Sequence, residues 1–118
     1  MNTIEEILAK ANPKQKALYC ALERGVRNFS NFPIQPHKSQ ISFKGGSHNK
    51  NICVVKIMAS HLQIQFNLKK EDFADSRELI IRAEYGTRGM QSKVKFTDME
   101  ELEYILDLIK QSYEKNKY

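Results

Sequence analysis

Strict alternation of apolar and polar residues in segment 62–68 is the feature that most limits the fold of this chain. Leucine, isoleucine, phenylalanine and leucine occupy every second position, and amide side chains occupy the positions between them. Because successive side chains of an extended strand point to opposite faces, this pattern predicts a strand with one buried and one polar face. Such strands are typical of antiparallel sheets, so we expect the chain to fold around one.

Other segments predict the remaining strands of this sheet. Segment 52–58 is apolar apart from Lys56 and rich in β-branched residues, which favours a central strand. Three more segments alternate like 62–68: 40–44, 79–85 and 93–96. Two turn signals follow them: Gly45-Gly46 and Gly86-Thr87-Arg88-Gly89. We therefore predict a mostly antiparallel sheet of about five strands within residues 40–96.

Helices are expected on both sides of the sheet segment, because capping patterns occur near both ends of the chain. Thr3 to Glu6 and Thr97 to Glu100 fit the capping box, in which a hydroxyl and a carboxylate accept the free amides of a first helical turn. Asn12-Pro13 supplies a cap followed by a first-turn proline. The three predicted helices are 3–11, 13–29 and 98–114. The expected fold class is α+β, one domain over 1–118, with the helices packed on one face of the sheet.

Composition limits the cellular context. No apolar run approaches the length of about 20 residues that a membrane helix needs, and Glu5 and Glu6 stand where a signal peptide would be basic. We therefore expect a cytoplasmic protein without a membrane partner. The two cysteines, Cys20 and Cys53, are expected to be reduced thiols.

Charge is unevenly distributed along the chain. Nine basic residues and one acidic residue lie between Lys10 and Lys56, whereas the remainder holds ten basic and thirteen acidic residues. A local excess of that size attracts anionic partners such as nucleic acid, although a merely solvated surface is the plainer explanation. The candidate nucleic-acid-binding residues are Arg24, Arg27, Lys38, Lys44, Lys50 and Lys56.

The polar face of the predicted sheet indicates what kind of nucleic-acid contact to expect. Proteins that read single strands stack bases on outward aromatic side chains. The alternation places polar residues there instead: Gln63, Gln65, Asn67, Arg82, Lys93 and Lys95. Contact with the phosphate backbone is the form of binding that this pattern leaves open.

No catalytic or metal-binding pattern is present in the sequence. An acidic residue two positions before a lysine, as in restriction-type nucleases, does not occur. His37, His48 and His61 lack zinc-ligand spacing, and there is no nucleophile elbow or phosphate-loop lysine. The turn 86–89 could bind a phosphate through its amides, but a simple hairpin turn is the favoured explanation. We expect a protein that is not an enzyme, with no catalytic residues, metal ligands or cofactor.

Two surface features give more specific hypotheses. Cys20 lies one helical turn from both Lys16 and Arg24, which would make an exposed thiol more reactive; alternatively, the first helix covers it. On the last helix, Tyr104 and Leu108 are predicted to lie away from the core-facing residues. They could anchor a protein partner or a second copy of the chain, although scattered exposed apolar residues are also normal.

The order of these segments resembles a known family. A helix, then Ile41-Ser42-Phe43-Lys44, the paired strands, the 86–89 turn, Val94-Lys95-Phe96 and the final helix together are similar to the bacterial domain of unknown function 5655 over most of residues 15–115. Members sometimes follow a restriction-endonuclease-like domain, which implies an accessory role near DNA, and the family offers no catalytic residues to transfer. This chain departs from the family pattern at Phe43, where tyrosine is usual, and in its shorter glycine turn.

These observations favour a non-enzymatic accessory module that contacts DNA through its basic N-terminal half in a bacterial or phage context. The alternative is a protein-interaction module that self-associates, or docks on a larger effector such as a restriction or defence protein, through its last helix and a sheet edge. An enzyme built from scattered residues, or a small-ligand binder, is the third class.

Overall fold

The computed structural model describes residues 3–29, 32–38, 40–45, 50–83 and 90–116. Two helices open the chain, six strands follow, and a third helix closes it. The helices are α1 (Ile4–Leu8), α2 (Pro13–Phe29) and α3 (Leu102–Asn116). The strands are β1 (Ile34–Pro36), β2 (Gln40–Lys44), β3 (Asn51–Ile57), β4 (Leu62–Phe66), β5 (Ile81–Arg82) and β6 (Ser92–Phe96). Short 3₁₀ turns span Lys70–Asp72 and Met99–Glu101.

All six strands form one antiparallel sheet in the order β1-β2-β3-β4-β6-β5. The α+β class and the antiparallel sheet are therefore confirmed. Strand β1 is additional to the predicted set, because Pro33 and Pro36 conceal it in the sequence. Proline lacks an amide donor, and it is tolerated in an edge strand such as this one.

The predicted strand 79–85 is wrong at its start. Both carboxylate oxygens of Asp75 are occupied by backbone amides, one by Leu79 N at 3.1 Å and the other by Ile80 N at 2.8 Å. Because these two donors are used locally, they are not available for a strand ladder, and pairing begins only at Ile81. Residues 84–89, including the predicted glycine turn, lie outside the described residues.

The core lies between the two long helices and one face of the sheet. Ile41, Phe43, Val55, Ile64 and Phe96 lie on this face and are fully buried. The helices contribute residues spaced three or four apart, as in an amphipathic helix: Leu18, Leu22 and Val26 from α2, and Ile105, Leu108 and Ile109 from α3. We call the face of the sheet that packs on α2 and α3 the inner face, and the opposite one the outer face.

Gly25 allows α2 and α3 to pack closely. A Cβ atom at this position would overlap the side-chain atoms of Leu106 on α3. Glycine in mid-helix costs roughly 1 kcal/mol relative to alanine. The close approach of the two helices accounts for its presence here.

The capping box of α3 lies one residue later than predicted. The N-cap is Asp98 rather than Thr97, and its partner is Glu101 rather than Glu100. The Glu101 carboxylate accepts from the amides of Thr97 at 2.9 Å and Asp98 at 3.1 Å, so it satisfies two donors ahead of the helix. At the start of α1, Thr3 accepts from the Glu6 amide at 3.1 Å, as predicted.

The start of α2 is joined to the turn between β3 and β4. Asn12 and Gln15 form a reciprocal cap, each side chain accepting from the amide of the other at 2.8–2.9 Å. The buried Gln15 amide nitrogen also donates to two carbonyl oxygens of the turn, those of Met58 at 2.7 Å and His61 at 3.1 Å. One side chain thereby fixes the N-terminus of α2 against the β3–β4 turn.

Candidate nucleic-acid interface

The outer face of the sheet carries two rows of side chains that run across the strands. Residues paired by the strand register lie side by side on the same face. The first row, which we call the lysine row, is Gln40, Lys56, Gln63 and Lys95. The second, which we call the central row, is Gln35, Ser42, Val54, Gln65, Lys93 and Ile81.

Every charged residue at an outer position of the described strands is basic. None of the six described strands contains an aspartate or glutamate, and the sequence has none anywhere between Arg24 and Lys70. The lysines on the outer positions are Lys56, Lys93 and Lys95, and Lys44 occupies an outer position beside a β-bulge in the β2–β3 pair. Cations without compensating carboxylates raise the local concentration of anionic ligands.

The lysine row is accessible from solvent. Lys95 is exposed, and Lys56 and Gln63 are partly exposed. Lys56 and Lys95 are separated by one intervening strand, so their backbones lie roughly 10 Å apart. Side chains of this length and spacing can contact separate groups of one extended anion.

His61 lies beside the lysine row, two residues before Gln63, in the turn between β3 and β4. Partial burial lowers the pKa of His61, and the nearby charge of Lys95 lowers it further. Both effects favour the neutral form of the imidazole. The lysines supply the formal positive charge of this surface.

The centre of the outer face is polar but buried. Ser42 is 1% exposed, Val54 0% and Gln65 3%, although none of them points toward the helices. Ser42 Oγ and Gln65 Oε1 have no hydrogen-bond partner. Buried polar atoms in native proteins are nearly always paired, so two unpaired atoms on one row are unusual.

Comparison with known protein families matches residues 4–116 to the family described as a domain of unknown function (DUF5655). The chain belongs to this family. The resemblance seen in the sequence is thereby confirmed over nearly the whole chain. No curated protein and no solved structure matches the chain. The family description assigns no activity, so the properties of this domain must be argued from its own residues.

The six candidate residues from the N-terminal half do not form one surface of the domain. Lys44 and Lys56 belong to the outer face, and the exposed Lys38 and Lys50 lie in the connections beside β2 and β3. Arg24 and Arg27 lie on α2, in the helical layer. The structure therefore divides the predicted set between two sides of the sheet.

Lys93 and Lys95 complete the basic face, but they were not among the candidate residues. They were predicted to point outward, yet they lie in the half of the sequence that is acidic overall. The register of β4 with β6 brings them beside Gln65 and Gln63. The alternation in 93–96 was the sequence signal for these two lysines, because it indicates which face of the sheet a residue occupies. The sum of charges along the chain carries no information about the face.

Two of the predicted outward residues are not on the outer face. Asn67 follows the end of β4 and bonds to Asn116 at the end of α3, with a side-chain distance of 3.3 Å. Arg82 is in register with Ser92, which lies on the inner-face side, and it forms an ion pair with Glu71. Asn67 lies beyond the end of β4, where the alternation no longer applies, and in β5 the register places Ile81 rather than Arg82 on the outer face.

The proposed partner anchors on α3 are also corrected. Leu108 is fully buried in the core, so the prediction that it is exposed was wrong. Tyr104 is partly buried and binds the segment after the first 3₁₀ turn: its hydroxyl donates to Asp75 and accepts from Arg77 N at 2.9 Å. The Arg77 guanidinium lies 5.0 Å from the centre of the Tyr104 ring, as in a cation–π contact. Tyr104 therefore holds an internal segment in place.

Asp75 is the centre of this internal contact. Burial alone would raise the pKa of Asp75, but hydrogen bonds from Tyr104, Ile80 and Leu79 outweigh that effect and lower it. The pKa of Tyr104 is raised by burial and by its hydrogen bond to Asp75. The ionised carboxylate is thus the form that the folded protein favours.

Cys20 is exposed, which decides between the two alternatives considered for it: α1 does not cover the thiol. The thiol lines a groove of about 560 Å³ between α1 and α2, together with Ile4, Leu8, Tyr19 and Arg24. Cys53 is fully buried on the inner face, and burial raises the pKa of its thiol. Both thiols are free.

The described residues contain no cluster of three or more histidine, cysteine, aspartate or glutamate side chains that could hold a metal ion. His37 and His61 lie in separate turns of this part of the chain, and His48 lies outside it. Among the helices of the described ranges, none combines the length and apolar character needed to cross a bilayer.

Proposed function

We propose that this domain binds duplex nucleic acid through its outer face, with Lys44, Lys56, Lys93 and Lys95 contacting backbone phosphates. The observation that carries the proposal is the distribution of charge in the sheet. Four lysines occupy outer positions, and no described strand contains a carboxylate. A flat basic surface of this kind complements a polyanion.

The side chains of the face favour backbone contact over base stacking. The outer positions of the described strands contain no aromatic residue, so the face lacks the platforms on which single strands stack. Lysine contacts with phosphates fix position without reading sequence. We therefore expect modest affinity and slight sequence preference, as suits an accessory module in a bacterial or phage system.

Salt dependence gives a quantitative expectation. If four lysines contact phosphates, the slope of log affinity against log salt is roughly −3 to −4 for duplex DNA. Affinity then falls about 100-fold between roughly 50 and 200 mM salt. Fluorescence anisotropy with a labelled duplex measures this slope directly.

A pair of matched variants tests the face. Lys56→Gln with Lys95→Gln should weaken binding and reduce the salt slope by about 2, because two phosphate contacts are lost. Lys110→Gln with Lys115→Gln removes the same charge from exposed positions of α3 and should leave the slope unchanged. Equal losses from both pairs would show that net charge alone drives binding. Absence of binding at tens of micromolar protein in low salt would end the proposal.

The alternative remains a protein-interaction module acting through α3 and a sheet edge. It loses support because Leu108 is buried, Tyr104 is engaged internally, and edge strand β1 is short and contains Pro36. If the domain binds no duplex, the protein-interaction module becomes the favoured function.

A further inference from the structure

We propose that Ser42 and Gln65 accept hydrogen bonds from ribose 2′-hydroxyl groups, so that the outer face binds duplex RNA more tightly than duplex DNA of the same sequence. The inference rests on the proposed function and names the ligand class of the same surface. Its basis is the pair of unpartnered polar atoms on the central row.

The two atoms lie on the strands beside the lysine row. Ser42 on β2 and Gln65 on β4 flank Val54 on β3, with the lysine row beside them. Both side chains are more than nine-tenths buried, and neither Ser42 Oγ nor Gln65 Oε1 has a partner. A buried polar atom without a partner destabilises the free protein, because it has lost water and gained nothing. A ligand that supplies the missing hydrogen bond removes that penalty.

The chemistry of the atoms restricts the ligand. The amide oxygen of Gln65 only accepts hydrogen bonds, so an ionised phosphate, which has no hydrogen to donate, cannot satisfy it. The lysines, in contrast, require an anion. The ligand that suits both rows therefore carries phosphates together with O–H or N–H donors.

The shape of the sheet separates the two kinds of duplex. Six strands at a spacing of about 4.8 Å span roughly 24 Å, which is too wide for the major groove of DNA at about 12 Å, where most base donors lie. The minor groove of an RNA duplex is wide and shallow, and it displays 2′-hydroxyl groups at its surface. The face of an open sheet can contact these hydroxyls without entering a narrow groove.

Binding requires a local rearrangement of side chains. Ser42 and Gln65 have almost no free surface in the unbound chain. Gln40 lies two residues from Ser42 on β2, and Gln63 lies two residues from Gln65 on β4; both are on the outer face and partly exposed. We expect these side chains to turn toward the ligand and to expose the central row.

The binding test compares RNA and DNA duplexes of one sequence and length by fluorescence anisotropy at low salt. The unaltered domain should bind the RNA duplex about tenfold more tightly, the effect of two ordinary hydrogen bonds. In the double variant Ser42→Ala with Gln65→Met, RNA affinity should fall to within about twofold of DNA affinity, while DNA affinity stays unchanged. Equal affinity of the unaltered domain for both duplexes would overturn the inference.

A stability measurement checks the same variant without any ligand. Removing two unpaired buried atoms while keeping similar side-chain size should raise Tm. Gln63→Met on the same strand and face is the matched control, and it should not raise Tm because Gln63 is partly exposed. A lower Tm for the double variant would show that both atoms are already satisfied in the free protein, and the inference would fail.

The failures of the two proposals are distinguishable. If Lys56→Gln with Lys95→Gln weakens both duplexes equally and RNA has no advantage, backbone binding stands and only the RNA preference falls. If neither duplex binds to the unaltered domain, both proposals fall together.

Discussion

The two faces of the sheet use the same strands under different constraints. On the inner face, Phe43, Val55 and Ile64 are fully buried against two helices, and close packing determines which residues fit. On the outer face, the positions between them carry lysine, glutamine, serine and one valine, Val54. The inner face supplies most of the hydrophobic core, whereas the outer face carries the charged residues of the sheet. Candidate functional residues are therefore best sought among the side chains that do not contribute to the core.

The largest expected effect on stability comes from comparing two neighbouring residues of β4. Ile64→Ala removes a fully buried side chain from the inner face and should cost about 2 to 5 kcal/mol of unfolding free energy. Gln63→Ala, one residue earlier on the outer face, should cost less than about 1 kcal/mol. Urea denaturation measures both values. Similar costs would show that the outer face is also part of the core.

Asp75 is a polar group whose hydrogen-bond partners all lie within the protein, in contrast to the unpartnered atoms of Ser42 and Gln65. Asp75→Asn should cost about 1 to 3 kcal/mol at pH 7, since the charged acceptor of Tyr104 and two amides is lost. This contrasts with the gain expected at Ser42 and Gln65, which have no partner. Thermal unfolding of Asp75→Asn and of the double variant Ser42→Ala with Gln65→Met shows whether hydrogen bonding decides the sign of the stability change.

The pH dependence of Asp75 provides an independent check. Its folded pKa is lowered, so its contribution to stability is complete above the unfolded pKa and disappears as the pH falls through the folded pKa. The difference in Tm between the unaltered protein and Asp75→Asn should therefore shrink as the pH is lowered from 7 into the acid range. A difference independent of pH would contradict the assigned ionised state.

The last prediction compares the reactivity of the two thiols and involves no change in stability. A maleimide should label the native protein at Cys20, which is exposed, and leave Cys53 on the inner face unreacted. Mass spectrometry before and after denaturation counts the labelled sites. Labelling of both thiols in the native state would mean that the inner face opens readily, and the contrast between the faces would weaken.

Local patterns predicted what depends on local geometry. Alternation in 62–68 and 40–44 identified strands β4 and β2 and, within their bounds, the face of each residue, and Asn12-Pro13 marked the start of α2. Errors arose where a tertiary contact decided the outcome. Leu108 was assigned to the surface from its angle on a helical wheel, but the buried part of α3 is wide enough to include it. Segment 79–80 did not extend the strand because Asp75 takes its amides.

The candidate interface could be predicted only in part, because a row across a sheet joins residues that are distant in the chain. Lys56 and Lys95 lie in one row through Gln63, and no sum of charges along the sequence shows this. The unpaired atoms of Ser42 and Gln65 were also invisible in the sequence. Only the register and the burial of the folded chain identify them.

The double role of Gln15 has a consequence for the order in which the chain folds. Its backbone amide belongs to the cap of α2, while its side chain binds carbonyls that lie 43 and 46 residues later. During synthesis α2 leaves the ribosome well before that turn. At this stage the Gln15 side chain lacks its carbonyl partners, so the first turn of α2 is not yet fully anchored. Most of the stability of a helix in a protein comes from tertiary packing. Closure of the β3–β4 turn therefore completes the first helix as well as the sheet, and the two elements reach their final form as one cooperative unit.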